Sequence, residues 1–348
     1  MSTTTKTPYQ INEKQIIPTT TQNKSTSKTS IIFNDKPSST SPQSPIAILD
    51  NKYNLTKKLG KGGTSCVYLG HAISEPSIDY AFKIIKSPSS QILQNEYNIL
   101  SSLSHNNIIK AYSFQENIPL HKPTKNTTKT VSYLQLEYIE YGELFDFVYY
   151  PKKGFGENFT RLLTYKLALA LLHSSSNGFI HRDIKPENIM VDSDCNIKLC
   201  DFGFAAANDG KMNKHLGTSG YASPEVLSKQ MYYGVPNDIF ALGVTVFILV
   251  TGSMPFRTIS AKDSFYSLIL QNKFNEFWQK RGIKVSKEFQ CLFNSMISFE
   301  PEQRPSIEEV LCSSWIREGN YSKENFDLLK VELLRRKEIV FAKKRKQE

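Results

Sequence analysis

Glycines at Gly60, Gly62 and Gly63 in the stretch Leu59-Gly60-Lys61-Gly62-Gly63-Thr64-Ser65-Cys66-Val67 leave a backbone bare enough to approach a phosphate closely. An ordinary turn between strands has the same composition. A dinucleotide fingerprint or a Walker A loop should run straight into a helix, and no Lys-Ser or Lys-Thr pair follows the last glycine here. Instead β-branched and aromatic residues flank the loop on both sides, from Tyr53 to Leu59 and from Cys66 to Leu69, so it is expected to join two antiparallel strands. Further on, Lys83 interrupts the apolar strand-like run Tyr80-Ala81-Phe82-Lys83-Ile84-Ile85. An edge strand would let it point to water. The next segment spaces Ile92, Leu93, Ile99, Leu100 and Leu103 like a helix with Glu96 among them, which places Lys83 and Glu96 to meet as an ion pair.

Beyond these come "HRDIKPENIM" (His181–Met190), "IKLCDFGFA" and "GTSGYASPE". With the glycine loop, the strand lysine and the helix glutamate in this order, the chain resembles the eukaryotic protein kinase family over roughly residues 53 to 317. Asp183, Asn188 and Asp201 taken singly are common turn or capping residues; in register together they are not explained that way. The resemblance implies an α+β, two-lobed fold: a small antiparallel β lobe with one main helix, about 53 to 138, and a larger, mostly helical lobe, about 139 to 317.

It also implies ATP and Mg as cofactors and a Ser/Thr hydroxyl of a protein as acceptor. Phosphoryl transfer needs positioning and charge stabilisation more than covalent chemistry. Asp183 would take or orient the hydroxyl proton and Lys185 would offset charge on the moving group. Asn188 and Asp201 would hold Mg through oxygen. Lys83 would contact the inner phosphates while Glu96 holds it. Residues Gly60, Lys61, Gly62, Gly63, Thr64, Ser65 and Cys66 would cover the phosphates, with Ser65 where the outer glycine often lies. Leu59, Val67, Ala81 and Met190 or a neighbour would wall the adenine; Leu136 matches the gatekeeper; the backbone of Glu137 and Ile139 would bond the base; Glu143 would reach the ribose. Lys185 and Thr218 fit the Ser/Thr type, with "GELFD", "TGSMPF" and "SSWI" closest to the calcium/calmodulin-dependent group. Glu143 and Glu187 imply substrates with Arg or Lys upstream of the target hydroxyl. His181 and Phe202 read as packing residues, Asp238 as an anchor of the catalytic loop, and Glu225 and Arg304 as a buried ion pair. The alternative is a pseudokinase scaffold that binds nucleotide or partners without efficient catalysis. Its usual sign, loss of the strand Lys, catalytic Asp or metal Asp, is missing.

The 348 residues carry a formal charge of +10, but residues 1 to 52 hold 6 basic and 3 acidic side chains and residues 318 to 348 hold 9 and 6. The centre is thus near balance, which gives a nucleic-acid partner little support. Residues 1 to 52 are Ser/Thr-rich and poor in apolar side chains, so they are expected to be disordered. Five scattered cysteines with no Cys-x-x-Cys fit a reducing compartment, and the run Ile239–Val250 is too short to span a bilayer. A cytoplasmic location follows, or a nuclear one if Lys343, Lys344, Arg345 and Lys346 act as a localisation signal.

Three segments depart from the family or extend it. Between Gly203 and Gly217 no Ser, Thr or Tyr occurs, and Lys214 stands where many relatives carry a phosphorylatable Thr, so loop phosphorylation there is not expected to activate the enzyme. Residues 115 to 131 read as a lengthened, solvated loop. Residues 318 to 348 form a basic tail with helical spacing, open to three uses: a helix packed on the large lobe, a calmodulin-binding or autoinhibitory segment, or the localisation signal.

Overall fold

The computed structural model describes residues 45–86 and 90–346. The expected disorder of residues 1 to 44 lies outside the described residues. Six strands build the small lobe: β1 (Ala47–Leu49), β2 (Tyr53–Lys61), β3 (Ser65–Ala72), β4 (Glu75–Lys86) and, after helix α1 (Ser90–Ser102), β5 (Ala111–Lys122) and β6 (Thr127–Glu137). They pair antiparallel in the closed order β1-β2-β3-β4-β6-β5. Inward side chains, chiefly Leu49, Leu55, Phe82, Ile84, Leu120, Val131 and Tyr133, fill its interior.

Two expectations are corrected here. The disordered tail expected over residues 1 to 52 does not extend to its end, because Ala47–Leu49 form a strand paired with both β2 and β5. Ala47 and Leu49 are buried, and Asp50 and Asn51 turn the chain at φ of 55° and 51°, which their short polar side chains tolerate. Likewise residues 115 to 131 are no loop. They continue β5 and β6 into a hairpin turned at Pro123–Lys125, whose buried Leu120 and Val131 pack beneath β1.

Short elements carry the chain into the large lobe: β7 (Gly142–Glu143), α2 (Asp146–Tyr149), the long α3 (Gly156–Ser176), β8 (Phe179–Ile180), β9 (Ile189–Val191), β10 (Ile197–Leu199) and β11 (Ala206–Ala207). Then follow α4 (Pro224–Leu227), α5 (Gly234–Thr251), α6 (Tyr266–Leu270), α7 (Phe274–Arg281), α8 (Lys287–Met296), α9 (Ile307–Leu311), α10 (Ser314–Arg317) and α11 (Lys323–Arg345). Helix α5 is apolar all round because it is the core of this lobe: its 18 residues pass the length and hydropathy test for a membrane span, yet 83% of it is buried in protein. Gly252 ends it at φ 80°, and a Cβ there would meet Gly154 N at 2.6 Å. The tail is the packed helix α11, with Leu329, Leu333 and Val340 buried in the same core.

Candidate active site

Strand alternation decides which way Lys83 points. Phe82 and Ile84 face the barrel interior, so Ala81, Lys83 and Ile85 face α1 and the large lobe. Strand β4 lies between β3 and β6, with Lys83 opposite Val67 and Leu134, so the edge-strand reading does not hold. Lys83 Nζ donates to Glu96 Oε2 at 2.7 Å and Oε1 at 2.9 Å, and to Asp201 Oδ1 at 2.7 Å. Burial disfavours the Lys83 ammonium, but the Glu96 and Asp201 carboxylates outweigh it and raise its pKa. At Asp201 burial pushes the carboxyl up and Lys83 more than reverses this, leaving it lowered and ionised. The cluster thus favours the charged forms of Lys83 and Asp201, while at Glu96 burial outweighs the Lys83 ammonium and raises the carboxyl.

The loop after β8 is anchored from below. Asp238 on α5 accepts the backbone N–H groups of His181 and Arg182, each at 2.8 Å. Burial lifts the Asp238 carboxyl to about 7 against those two donors. His181 Nδ1 accepts from Asp183 N–H, so its proton sits on Nε2 and is donated to the Cys200 carbonyl at 2.9 Å. Burial lowers its pKa and keeps it neutral, packed edge-on against Phe202. His181 and Phe202 pack together behind the loop.

Above this support Asp183 is held by both oxygens. Oδ2 takes Lys185 Nζ at 2.7 Å and Asn188 Nδ2 at 2.9 Å; Oδ1 takes Thr218 N–H at 3.0 Å and Thr218 Oγ1 at 2.8 Å. Asn188 also donates to the Asp183 carbonyl at 2.8 Å. With its amide nitrogen spent, Asn188 has its oxygen left for a hard cation, and the half-exposed Asp201 carboxylate supplies a second oxygen donor. These residues fit Mg: oxygen ligands, one of them anionic, beside Lys83.

Gly60 lies opposite Val67 across the β2–β3 ladder and Lys61 opposite Cys66; Gly62 N–H closes the turn on Ser65 O at 2.9 Å. Lys61, Gly62, Gly63 and Thr64 are exposed at the tip, and Leu59 is exposed at its edge. A Cβ on Gly60 or Gly63 would meet no protein atom within 4 Å. At these two positions the bareness serves no internal packing, whereas a Cβ on Gly62 would lie 3.1 Å from Ser65 Oγ. Val67 lies opposite Lys83 and shares its face, whereas Cys66 lies opposite Ile84, so its side chain turns away from Lys83. Ala81 and Leu136 are direct partners across β4 and β6, both buried, with Ile139 buried just beyond. Glu137 N–H is already bonded to Lys110 O at 2.9 Å, and its side chain pairs with Lys198 at 3.1 Å, leaving the carbonyl as its hinge group. Glu143 sits exposed on β7; desolvation, then the Asp146 charge, raise its carboxyl.

Sequence reasoning missed three participants. Thr218 served there only as a marker of acceptor type, yet it clamps Asp183; Lys185 also reaches its Oγ1 at 2.6 Å. Tyr221 donates to Glu187 at 3.3 Å. Asp146, at the start of α2, is ion-paired to Lys344 from α11. The Thr218 contact spans 35 residues and leaves no local pattern.

A family model described as protein kinase domain matches residues 53–316. A probable myosin light chain kinase of Dictyostelium discoideum is 32% identical over 304 residues, 82% of this chain and 91% of that protein. The serine/threonine-protein kinase chk-2 of Caenorhabditis elegans is 30% identical over 302 residues, 81% of this chain and 60% of its own. CBL-interacting serine/threonine-protein kinase 12 of Arabidopsis thaliana is 29% identical over 288 residues, 79% of this chain and 55% of its own. The chain thus spans little more than half the length of the last two. Motif order, cleft geometry and these matches agree: the chain belongs to the protein kinase family, as a protein-serine/threonine kinase.

Proposed function

We propose that this kinase is catalytically active and transfers the γ-phosphoryl group of Mg·ATP to Ser or Thr hydroxyls of proteins. The observation that carries the reading is Asp183 held through both oxygens by Lys185, Asn188 and Thr218, beside an assembled Lys83–Glu96–Asp201 cluster. A scaffold that had abandoned catalysis would have no use for that arrangement. Asp183 accepts the hydroxyl proton, Lys185 offsets charge on the transferred group, and Lys83 orients the inner phosphates. Bound Mg would neutralise phosphate charge from Asn188 and Asp201. The bare Gly60–Gly63 turn covers the phosphates, and the Ala81–Leu136 pair with Ile139 forms the adenine wall. Transfer from Mg·ATP to a peptide panel tests the reading, with Asp183→Asn as the control; a wild-type protein no faster than that control would refute it.

Glu143 and Glu187 give the mouth of the site a negative lip, so Arg upstream of the target Ser favours phosphorylation. Peptides with Arg at the third position before Ser should outrun Ala versions, and equal rates would refute the preference. Activity needs no phosphate on residues 204 to 216. Arg182 already donates to Phe204 O at 2.6 Å and meets Met212 Sδ at 4.0 Å, while Met212 pairs with Tyr232 through backbone bonds of 2.8 and 3.1 Å. Helix α11 serves as a structural strap, with calmodulin binding, autoinhibition and nuclear targeting as the uses a truncation would expose.

A further inference from the structure

The chain that follows Thr218 builds a second feature away from the catalytic cleft. Met231, Tyr233 and Phe299 are large apolar side chains, and they stand 56%, 49% and 48% exposed. Together with Pro224 and Pro301 they wall one groove of about 260 Å³. Leu227, at the end of α4 and outside the groove lining, is also exposed. Scattered apolar residues on a surface need no explanation; a cluster around a concavity marks an interaction site.

The groove is preformed. Beneath it Arg304 grips Glu225 through two bonds of 2.7 and 2.8 Å and also bonds the Phe299 and Pro236 carbonyls. Tyr232, buried between the exposed Met231 and Tyr233, donates to Lys214 O at 2.8 Å. A frame of this kind fixes the positions of its exposed neighbours, so the apolar walls do not collapse to hide themselves. Its volume falls below the roughly 300 Å³ at which small-molecule sites begin, which suits side chains of an extended peptide instead.

Charge names the occupant. Glu300 and Glu302 line the groove, both exposed, and no ion pair engages either among the described residues. Lys211, which lines the same groove, lies over the Tyr233 ring at 5.3 Å. The groove therefore offers two carboxylates outside any ion pair, against the single cation of Lys211, beside aromatic and thioether surface. We infer that this groove docks a short segment of a protein substrate in which an apolar side chain is flanked by Arg or Lys. The inference rests on the protein kinase reading above and adds to it a second point of substrate attachment, outside the cleft.

The test uses the full-length protein and a short fluorescent peptide of Arg, Leu, Phe and Ala, free of hydroxyl residues. Binding is measured by anisotropy in an excess of an apolar-free Arg peptide that fills the acidic mouth of the cleft. Saturable, salt-sensitive binding is expected, weakened about tenfold or more by Phe299→Asp and by Glu300→Lys with Glu302→Lys. Phosphorylation of a short Ser peptide should stay unchanged in these variants, which shows that they fold. Equal binding to wild type and variants, or equal binding of a peptide with Glu in place of Arg, overturns the proposal. So does a wild-type dimer that Phe299→Asp converts to monomer, because the occupant is then a second copy. Loss of short-peptide phosphorylation in the wild type would instead count against catalysis, while docking is judged by anisotropy alone.

Discussion

Thr218 is bonded twice to one oxygen of Asp183, through its N–H at 3.0 Å and its Oγ1 at 2.8 Å. The end of the loop that begins at Asp201 is thereby fastened to the proposed base, and Lys185 Nζ, 2.6 Å from the same hydroxyl, closes the triangle. Thr218→Val keeps the volume and removes the hydroxyl. Its kcat should fall about ten- to a hundredfold, because a misaligned base forfeits part of the 10² to 10⁴ that proton transfer contributes. Thr218→Ser restores the bond and most of the rate. Steady-state kinetics on one peptide decides it; equal kcat for Val and wild type would remove Thr218 from the machinery.

Arg182 draws its partners from the loop itself, a carbonyl and a thioether, so the loop is held without phosphate. Protein treated with phosphatase and checked by mass spectrometry should keep full activity. An inactive product would show that a modification elsewhere, at Thr218, Ser219 or Tyr221, is required. Met212→Ala should expose residues 204 to 216 to limited proteolysis by removing the side chain that faces Arg182.

Arg336 is a charged residue in a core position. Its guanidinium donates to the carbonyls of Phe147, Lys153 and Gly154 at 2.6 to 2.7 Å and lies 4.0 Å over the Phe155 ring. Arg336→Ala leaves those acceptors buried without donors and should cost about 3 to 5 kcal/mol in urea unfolding. Arg336→Lys, with one compact ammonium, recovers only part. Deleting residues 318 to 348 should likewise lower stability, with no gain in activity on adding calcium and calmodulin.

Glu332 ties this arginine down. Hydrogen bonds from Arg335, and then from Arg336, hold its carboxyl at about 2, below the usual 4.5. A carboxyl lowered on folding contributes stability that is complete above its ordinary pKa and is lost as pH falls toward the folded value. The stability gap between wild type and Glu332→Gln should therefore be constant above about pH 5 and close between pH 4.5 and 2. A gap independent of pH would mean that the pair contributes packing alone.

Much of the site was legible because it is local. Asp183, Lys185 and Asn188 lie within six residues, in a motif recognised through its resemblance to the kinase family, and their mutual contacts are short in sequence. Apolar spacing marked α1 with Glu96 inside it, and the apolar run Ile239–Val250, too short by itself to span a bilayer, is part of the buried helix Gly234–Thr251. The hairpin at 115 to 131 is not legible in the sequence because it is mostly polar: Leu120 and Val131 are buried, Ile118 is partly buried beside them, and ladder bonds from β1 complete it.

By itself, then, the sequence determined which chemical groups are present, their order, and the strands and helices that carry them, since these follow from neighbours in the chain. Tertiary structure alone decided that Lys83 meets Asp201 across 118 residues, that Thr218 clamps Asp183, and that Arg336 enters the core from the tail. Arg336 even shares the helical stripe of Leu329, Leu333 and Val340, but a charge on an apolar stripe acquires meaning only once three carbonyls are waiting for it. Such contacts depend on closing long loops around a packed core, and no local spacing encodes them.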